Sequence, residues 1–564
     1  MYFAPAAAAL LASTAIHGVS AKSAEEWRTR SIYQLITDRF APPSDSAPAL
    51  TNPLPSECNV WDQTWCGGTW LSIIDKLDYI QGMGLDAIWI SPVSQNIDYH
   101  TPYNFAYHGY WVNDPTKLNP RFGSSDDLKK LSDELHKRNM WLMVDIVVQN
   151  VPALENIIDS PEKLAEDGSL WTSRDDFHDF CIIKDYSNLT QVENCSLGDE
   201  KLVLLDVNTE NPNVQSKLND WIANLVKEYN IDGLRIDAAK HVPGEFWTSF
   251  CGAAGVFCIG EVFGDDMEMA VKYQKNKYLD SILGFPLYYG IQKGFGAPYA
   301  NMTEFTSRLK AVQEGFVDTT VLGNFLESHD VPRWRNQTVD PRLGYNAQVA
   351  QFLLEGIPVV YYGSEQDFAG NMDPTNREAL WPSNYENTTT YQQITRLNKI
   401  RSAIIENNLE YNGESFLNAK SQIVDSTDYD VAIRRGPVLF SITNRGSPEN
   451  GTYFPIHNTG WDSVTPVIDL LTCTEFTVGS GGSLSVSYST QGYGGLPYVW
   501  VTTKDAKNLG LCTDKQMGIV SKDKVNNDAS DKVKEAEKNA GSKMSVSVAM
   551  AITALLGTTA AALL

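Results

Sequence analysis

Arg235 and Asp237 stand two positions apart inside the otherwise apolar run IDGLRIDAAKH, residues 231–241, and Lys240 and His241 follow them. Strand side chains alternate between faces, so Leu234, Ile236 and Ala238 point one way while Arg235 and Asp237 point the other. That second face must be polar. Taken alone, the stretch also fits an internal ion pair that only holds register. The same interruption recurs, however, with Asp145 in VDIVVQN, Glu261 in CIGEV, and His329 with Asp330 in FLESHD. Burying each carboxylate uncompensated would cost roughly several kcal/mol, so several of them converging at one rim need a common purpose. Paired carboxylates suit glycoside cleavage, where one is a general acid and the other a nucleophile, about 5 to 5.5 Å apart in retaining enzymes. Asp237, beside Arg235, is expected to stay ionised as a nucleophile must. Glu261, near Ile259 and Val262 and among other carboxylates, is the better candidate to hold a proton near neutral pH.

The elements that must position these groups are short apolar strands alternating with amphipathic helices. SIYQLI is followed by a helix around LSIIDKLDYIQGMG, then LDAIWIS, a helix around SDDLKKLSDELHKRN, and WLMVDIVV. This rhythm predicts a parallel sheet with helices outside. It breaks after Asp145, where residues 151–205 read as irregular. A helix around VQSKLNDWIANLVKEYN restarts it, and it continues through GVFCIGEV, TVLGNFLESHD and GIPVVYYGSE. Eight such units close a barrel whose active groups lie at the C-terminal ends of the strands. After residue 411, DVAIRRG, PVLFSITNR, SLSVSYS and YVWVTT with Gly-rich turns predict an antiparallel β domain.

A net charge of -24 over 564 residues argues against nucleic acid or an anionic membrane surface as partner. A neutral ligand fits better, and 14 Trp and 25 Tyr supply flat faces that suit sugar rings, although most of them will be core. Residues 1–21 read as a secretory signal ending at Ala21. The apolar end, residues 544–564, follows a polar segment at 514–543 with few large apolar groups, and reads as a GPI-attachment signal with Asn539 as the attachment residue. A plain tail anchor is the alternative. Either reading predicts an extracellular protein, held at the plasma membrane or cell wall and touching the bilayer only through its anchor. Eight cysteines then read as disulfides, with Cys58–Cys66, Cys181–Cys195 and Cys473–Cys512 the expected pairs. Cys251 and Cys258 are left open between a bond and two free thiols. Sequons at Asn188, Asn194, Asn301, Asn336, Asn387 and Asn450 predict N-glycosylation.

The charged segments, together with CGGTW, YIQGMGLDAIWISPV, AYHGYW and NMDPTNREALW, resemble the alpha-amylase family (glycoside hydrolase family 13), and the secreted fungal members most. The resemblance covers residues 28–513. It implies an α/β fold, a (β/α)8 TIM barrel with an inserted domain after strand 3 and a C-terminal antiparallel β-sandwich. The divisions become barrel 22–148 and 207–410, insert 149–206 and sandwich 411–513. It implies Asp237 as nucleophile, Glu261 as acid/base and Asp330 as transition-state stabiliser. Tyr110, Arg235 and His329 would line the subsite of the sugar being cleaved, Lys240, His241, Asp373 and Arg377 would hold neighbouring glucose units, and Trp111 would support the wall beneath them. A structural Ca2+ between barrel and insert is implied, with Gln149, Glu193, Asp206 and the backbone oxygen of His241 as ligands; oxygen donors suit this hard cation. A calcium-free, hydrogen-bonded junction is the alternative.

Two departures from the family pattern are adjacent. Gln149 stands where the family has Asn, one methylene shorter, and Asn150 stands where it has His. That His would donate to the sugar in the cleavage subsite, and losing such a contact removes roughly 1 to 3 kcal/mol of transition-state binding. A covalent glycosyl-enzyme is released by water or by another sugar's hydroxyl, so weakening the route to water favours transfer. The His-to-Asn change and the anchor-like tail resemble a subgroup of cell-wall-anchored fungal 4-alpha-glucanotransferases. The reading is therefore a monomeric, retaining alpha-1,4-glucan-active enzyme with substantial transglycosylation. A hydrolysis-dominant amylase is the first alternative and a non-catalytic glucan-binding wall protein the second; three intact carboxylates speak against the last.

Overall fold

The structure, a computed structural model, describes residues 22–43, 57–160, 163, 170–447, 452–488 and 494–512. The signal segment, the stalk, the apolar tail with Asn539, and the sequon at Asn450 lie outside these residues. Eight parallel strands form the central sheet: β1 Ile32–Gln34, β2 Ala87–Ile90, β3 Trp141–Ile146, β4 Gly233–Ile236, β5 Phe257–Gly260, β6 Ser281–Ile282, β7 Gly323–Asn324 and β8 Ile357–Tyr361. Their order is β6-β5-β4-β3-β2-β1-β8-β7, and a parallel bridge between Leu283 and Gly323 joins the two ends into a ring.

The period-two pattern sorts the strands' side chains between two cores. Ile32, Ala87, Trp89, Trp141, Met143, Phe257, Ile259, Ile357 and Val359 pack together inside the ring. Tyr33, Ile88, Leu142, Val144, Leu234, Ile236 and Cys258 pack outward, in the larger core that includes the helices. Asp145 and Arg235 occupy inward positions of this same alternation, and Asp237 and Glu261 continue it just past the ends of β4 and β5. Trp27 plugs the ring's N-terminal end and donates from Nε1 to the Asp232 oxygen at 3.0 Å. A Cβ on Gly233 would lie 2.6 Å from that indole, so β4 must begin with glycine.

The helix Pro212–Tyr229 shows how sequence delivers the chain to β4. Asn211 caps it, Pro212 opens it, and Val214, Leu218, Trp221, Ile222, Leu225, Val226 and Tyr229 form its buried stripe. Asn230, left-handed at φ 50°, ends it. The expected helix around LSIIDKLDYIQGMG is instead two short ones, Trp70–Ile74 and Leu77–Gly82.

Between β3 and β4 the chain is more regular than its sequence suggests. Asn150–Ala153, Val203–Asp206 and Leu197–Gly198 make a three-stranded antiparallel sheet, beside the helix Leu189–Asn194. The C-terminal part is antiparallel: a six-stranded sheet in which Asp430–Arg435, Val438–Thr443 and Tyr498–Thr502 are neighbours, and a separate pair, Tyr453–Ile456 with Leu484–Ser487. Phe454, Ile456 and Val486 of the pair pack with Ala432, Leu439 and Trp500 of the larger sheet.

All eight cysteines are bonded, as Cys58–Cys66, Cys181–Cys195, Cys473–Cys512 and also Cys251–Cys258. The last pair, which the sequence leaves open, is brought together by the turn at Gly255 between the helix Gly244–Ala254 and β5. Asn188, Asn301, Asn336 and Asn387 are exposed, and Asn194 is half-buried.

Candidate active site

The C-terminal rim of the barrel carries the inward-facing polar groups. Arg235 is fully buried and is the hub among them. Its Nη1 donates to both Asp145 oxygens at 2.9 Å and to Asp237 Oδ1 at 2.7 Å. Its Nη2 lies 3.0 Å from Glu261 Oε2. The register makes this possible, since Arg235 pairs with Asp145 on one side and with Ile259, two residues before Glu261, on the other. Asp145 also accepts from Trp89 Nε1 at 3.0 Å and the Tyr110 hydroxyl at 2.8 Å, so it is spent on holding the hub.

After Asp237 the chain turns through Ala238 at φ 43°, a left-handed conformation that costs a non-glycine residue roughly 1 kcal/mol or more. The turn aims the Ala238 N–H at Glu261 Oε2, 3.1 Å away. Burial pushes Glu261 up to about 7, against the pull of Arg235 and with help from the nearby Asp237 and Asp330 charges. Asp330 goes the other way. Burial alone would raise it, but contact with His329 and the charge of Arg377 hold it well below the usual carboxylate range.

His329 is fixed from three sides. Gln34 Nε2 donates to its Nδ1 at 2.7 Å, which leaves its proton on Nε2, facing Asp330 Oδ2 at 2.8 Å, and the Tyr110 ring stacks on it with centroids 4.9 Å apart. Arg377 bridges Asp330 at 3.3 Å and Asp373 at 3.0 Å and donates from Nε to the His329 oxygen.

These residues line one cleft of about 210 Å3. Asp237, Glu261, Asp330, Tyr110, Trp111, Asn150, Lys240, His241, His329, Asp373 and Arg377 all border it, and Arg235 sits beneath it. Lys240 and Phe263 form one part of the wall, where Lys240 Nζ donates to the Phe263 oxygen at 2.8 Å. Asn150 is buried, and its Oδ1 has no hydrogen-bond partner. The cleft also draws in Gln63, Tyr103, Phe105, His108, Phe263 and Met372, which sequence reasoning missed. His108 lies within the quoted AYHGYW and Met372 within NMDPTNREALW, so those two had a signal; the others lie outside the quoted motifs.

Of the four expected calcium ligands, Gln149 and Asp206 have side-chain partners of their own. Gln149 turns its side chain toward Asp237 and donates from Nε2 to Oδ2 at 2.7 Å. Asp206 Oδ2 is 2.6 Å from His178 Nδ1, and His178 Nε2 is 3.3 Å from Glu210. Burial alone would lower His178, but these two carboxylates push it up to about 9. Glu193 is half-buried on its helix, and His241 Nδ1 lies 3.1 Å from the Val192 oxygen, tying the insert to the barrel. Among the described residues no cluster of His, Cys, Asp and Glu is placed to hold a metal. With two of its four donors engaged elsewhere, the expected set does not fit a calcium ion in this arrangement.

Comparison with known proteins places this site in a family. Residues 34–429 match the alpha-amylase catalytic domain and residues 423–519 match alpha-amylase domain C. The chain is 40% identical to alpha-amylase 1 of Schwanniomyces occidentalis over 497 residues, covering 87% of this chain and 92% of that one. It superimposes on an alpha-amylase from Malbranchea cinnamomea with a TM-score of 0.79 at 37% identity, covering 87% of this chain and all of that one. A three-domain cyclomaltodextrin glucanotransferase gives a TM-score of 0.69 at 25% identity, over 84% of this chain and 98% of that one. The chain belongs to the alpha-amylase family of glycoside hydrolases, enzymes of alpha-glucans.

Proposed function

We propose that the protein is a retaining alpha-1,4-glucan enzyme in which transfer to a second sugar competes strongly with hydrolysis, acting outside the cell on wall or storage glucan. Asp237 attacks the anomeric carbon while the Glu261 proton passes to the departing glycosidic oxygen, leaving a glycosyl ester on Asp237. Glu261, now a carboxylate, then takes the proton of the incoming hydroxyl as its oxygen displaces Asp237. One guanidinium spans both carboxyl groups, which favours the close pair of retaining enzymes. Asp330, anchored by His329 and Arg377, is placed to stabilise positive charge on the sugar ring.

The observation that carries the transfer reading is Asn150, whose buried, unpaired Oδ1 borders the cleft where the family pattern has a histidine. With a weaker polar contact there, the choice between water and a sugar hydroxyl falls to the walls. Those walls are rich in apolar faces, Phe105, Phe263, Leu197, Leu204 and Met372, which suit a sugar ring better than they order a lone water. The similarity to a cyclomaltodextrin glucanotransferase is consistent with transfer on this domain plan. The names of the amylase relatives favour the second reading, hydrolysis as the main outcome. The extracellular setting is supported by four disulfides and by exposed sequons; anchoring at a membrane or wall rests on sequence composition alone.

Incubation with maltoheptaose tests the proposal. Products longer than seven units are expected; exclusively shorter ones would leave hydrolysis alone, and an unchanged substrate would leave only binding. Asn150→His is expected to raise hydrolysis relative to transfer by about tenfold, the worth of one hydrogen bond to substrate. An unchanged product ratio would remove Asn150 as its cause. Glu261 must begin protonated, so kcat/KM should decline as pH rises through about 7, and a profile flat to pH 9 would contradict its role as acid.

A further inference from the structure

We propose that Gln149 is a positioning residue for the nucleophile, its side-chain amide holding Asp237 in the orientation for attack. The inference rests on the assignment of Asp237 as nucleophile. Gln149 is 1% exposed and follows β3, where its main-chain oxygen accepts from the Val207 N–H at 3.0 Å and so pins the residue between barrel and insert. Both ends of the amide are committed. Oε1 accepts from the Val148 N–H at 3.1 Å, and Nε2 donates to Asp237 Oδ2 at 2.7 Å.

The consequence lies in the geometry of Asp237. Arg235 holds Oδ1 and Gln149 holds Oδ2, so each carboxylate oxygen has its own donor and rotation about the Cβ–Cγ bond is blocked. A carboxylate held on one side only would swing toward the guanidinium. Orientation of a reacting group is worth a large part of an enzymatic barrier, and a misplacement near 1 Å can cost about a hundredfold. The amide is neutral, so it orients Asp237 without adding a second positive charge beside Arg235. The extra methylene that distinguishes Gln149 from asparagine supplies the reach. At the expected metal junction, His178 sits on Asp206, so that carboxylate is already paired with a neighbouring side chain.

The test uses the full-length protein with Gln149→Met, which keeps the length and loses the donor, and Gln149→Asn, which keeps the donor and loses the reach. Both should lower kcat on maltoheptaose by about tenfold or more, with KM within about twofold of the wild type. Thermal midpoints measured with calcium chloride and with EDTA report folding and metal binding together. The calcium response of Gln149→Met should equal that of the wild type. Unchanged kcat in a folded Gln149→Met would overturn the proposal. So would a calcium-dependent rise in the wild-type midpoint that disappears in Gln149→Met, since that is the behaviour of a metal ligand. If Met prevents folding, the Asn variant carries the same expectation. Asp237→Asn runs beside them: activity in that variant would overturn the nucleophile assignment itself, whereas an inactive Asp237→Asn with normal Gln149 variants would overturn only the positioning role.

Discussion

Asp237→Asn is expected to reduce both transfer and hydrolysis by about 10^4-fold or more while leaving the fold intact. The amide is nearly the shape of the carboxylate but too poor a nucleophile to form the ester, and every product route passes through that ester. Folding should survive because Arg235 keeps two other acidic partners, Asp145 and Glu261, and Asp237 is the most exposed of the three at 16% of its side chain. Circular dichroism and the thermal midpoint would check the fold, and initial rates on maltoheptaose the chemistry. Turnover within tenfold of the wild type would mean that another group attacks.

Arg235→Met should be costly in a different way. The guanidinium is buried among three carboxylates, and methionine fills its volume with no charge. Removing one partner of a buried ion pair destabilises by about 3 to 5 kcal/mol, because the remaining charges are left without compensation. Against the roughly 5 to 15 kcal/mol that holds typical domains together, that is a large share. The expected result is a thermal midpoint lowered by several degrees, low yield of folded protein, and activity lost even in the folded fraction, because Asp237 loses its Oδ1 donor and Glu261 its neighbouring cation. A midpoint equal to the wild type would show that the hub is not what holds the rim together.

Much of this arrangement was legible in the sequence because a barrel strand has only two faces. A charge inside an apolar run such as GLRID must sit inside the ring or at its rim, and the family motifs then gave the groups their roles. What stayed hidden depends on contacts between segments far apart in the chain. Nothing in VDIVVQN says that Gln149 reaches Asp237, 88 residues on, rather than a metal. The pairing of His178 with Asp206 is equally silent, since it needs the insert's sheet to form first. The strand Ser281–Ile282 escaped because two residues show no periodicity. The segment 151–205 read as irregular because its strands are short and its polar residues frequent, yet backbone pairing with Val203–Asp206 orders it.

The configuration of the first product tests the central claim most directly. The placement of Asp237 and Glu261 around one guanidinium suits two successive displacements at the anomeric carbon. Proton NMR taken within the first turnovers on maltoheptaose, before mutarotation, should show newly formed reducing ends in the α configuration. Initial release of β ends would mean a single displacement by water, and would contradict an ester on Asp237.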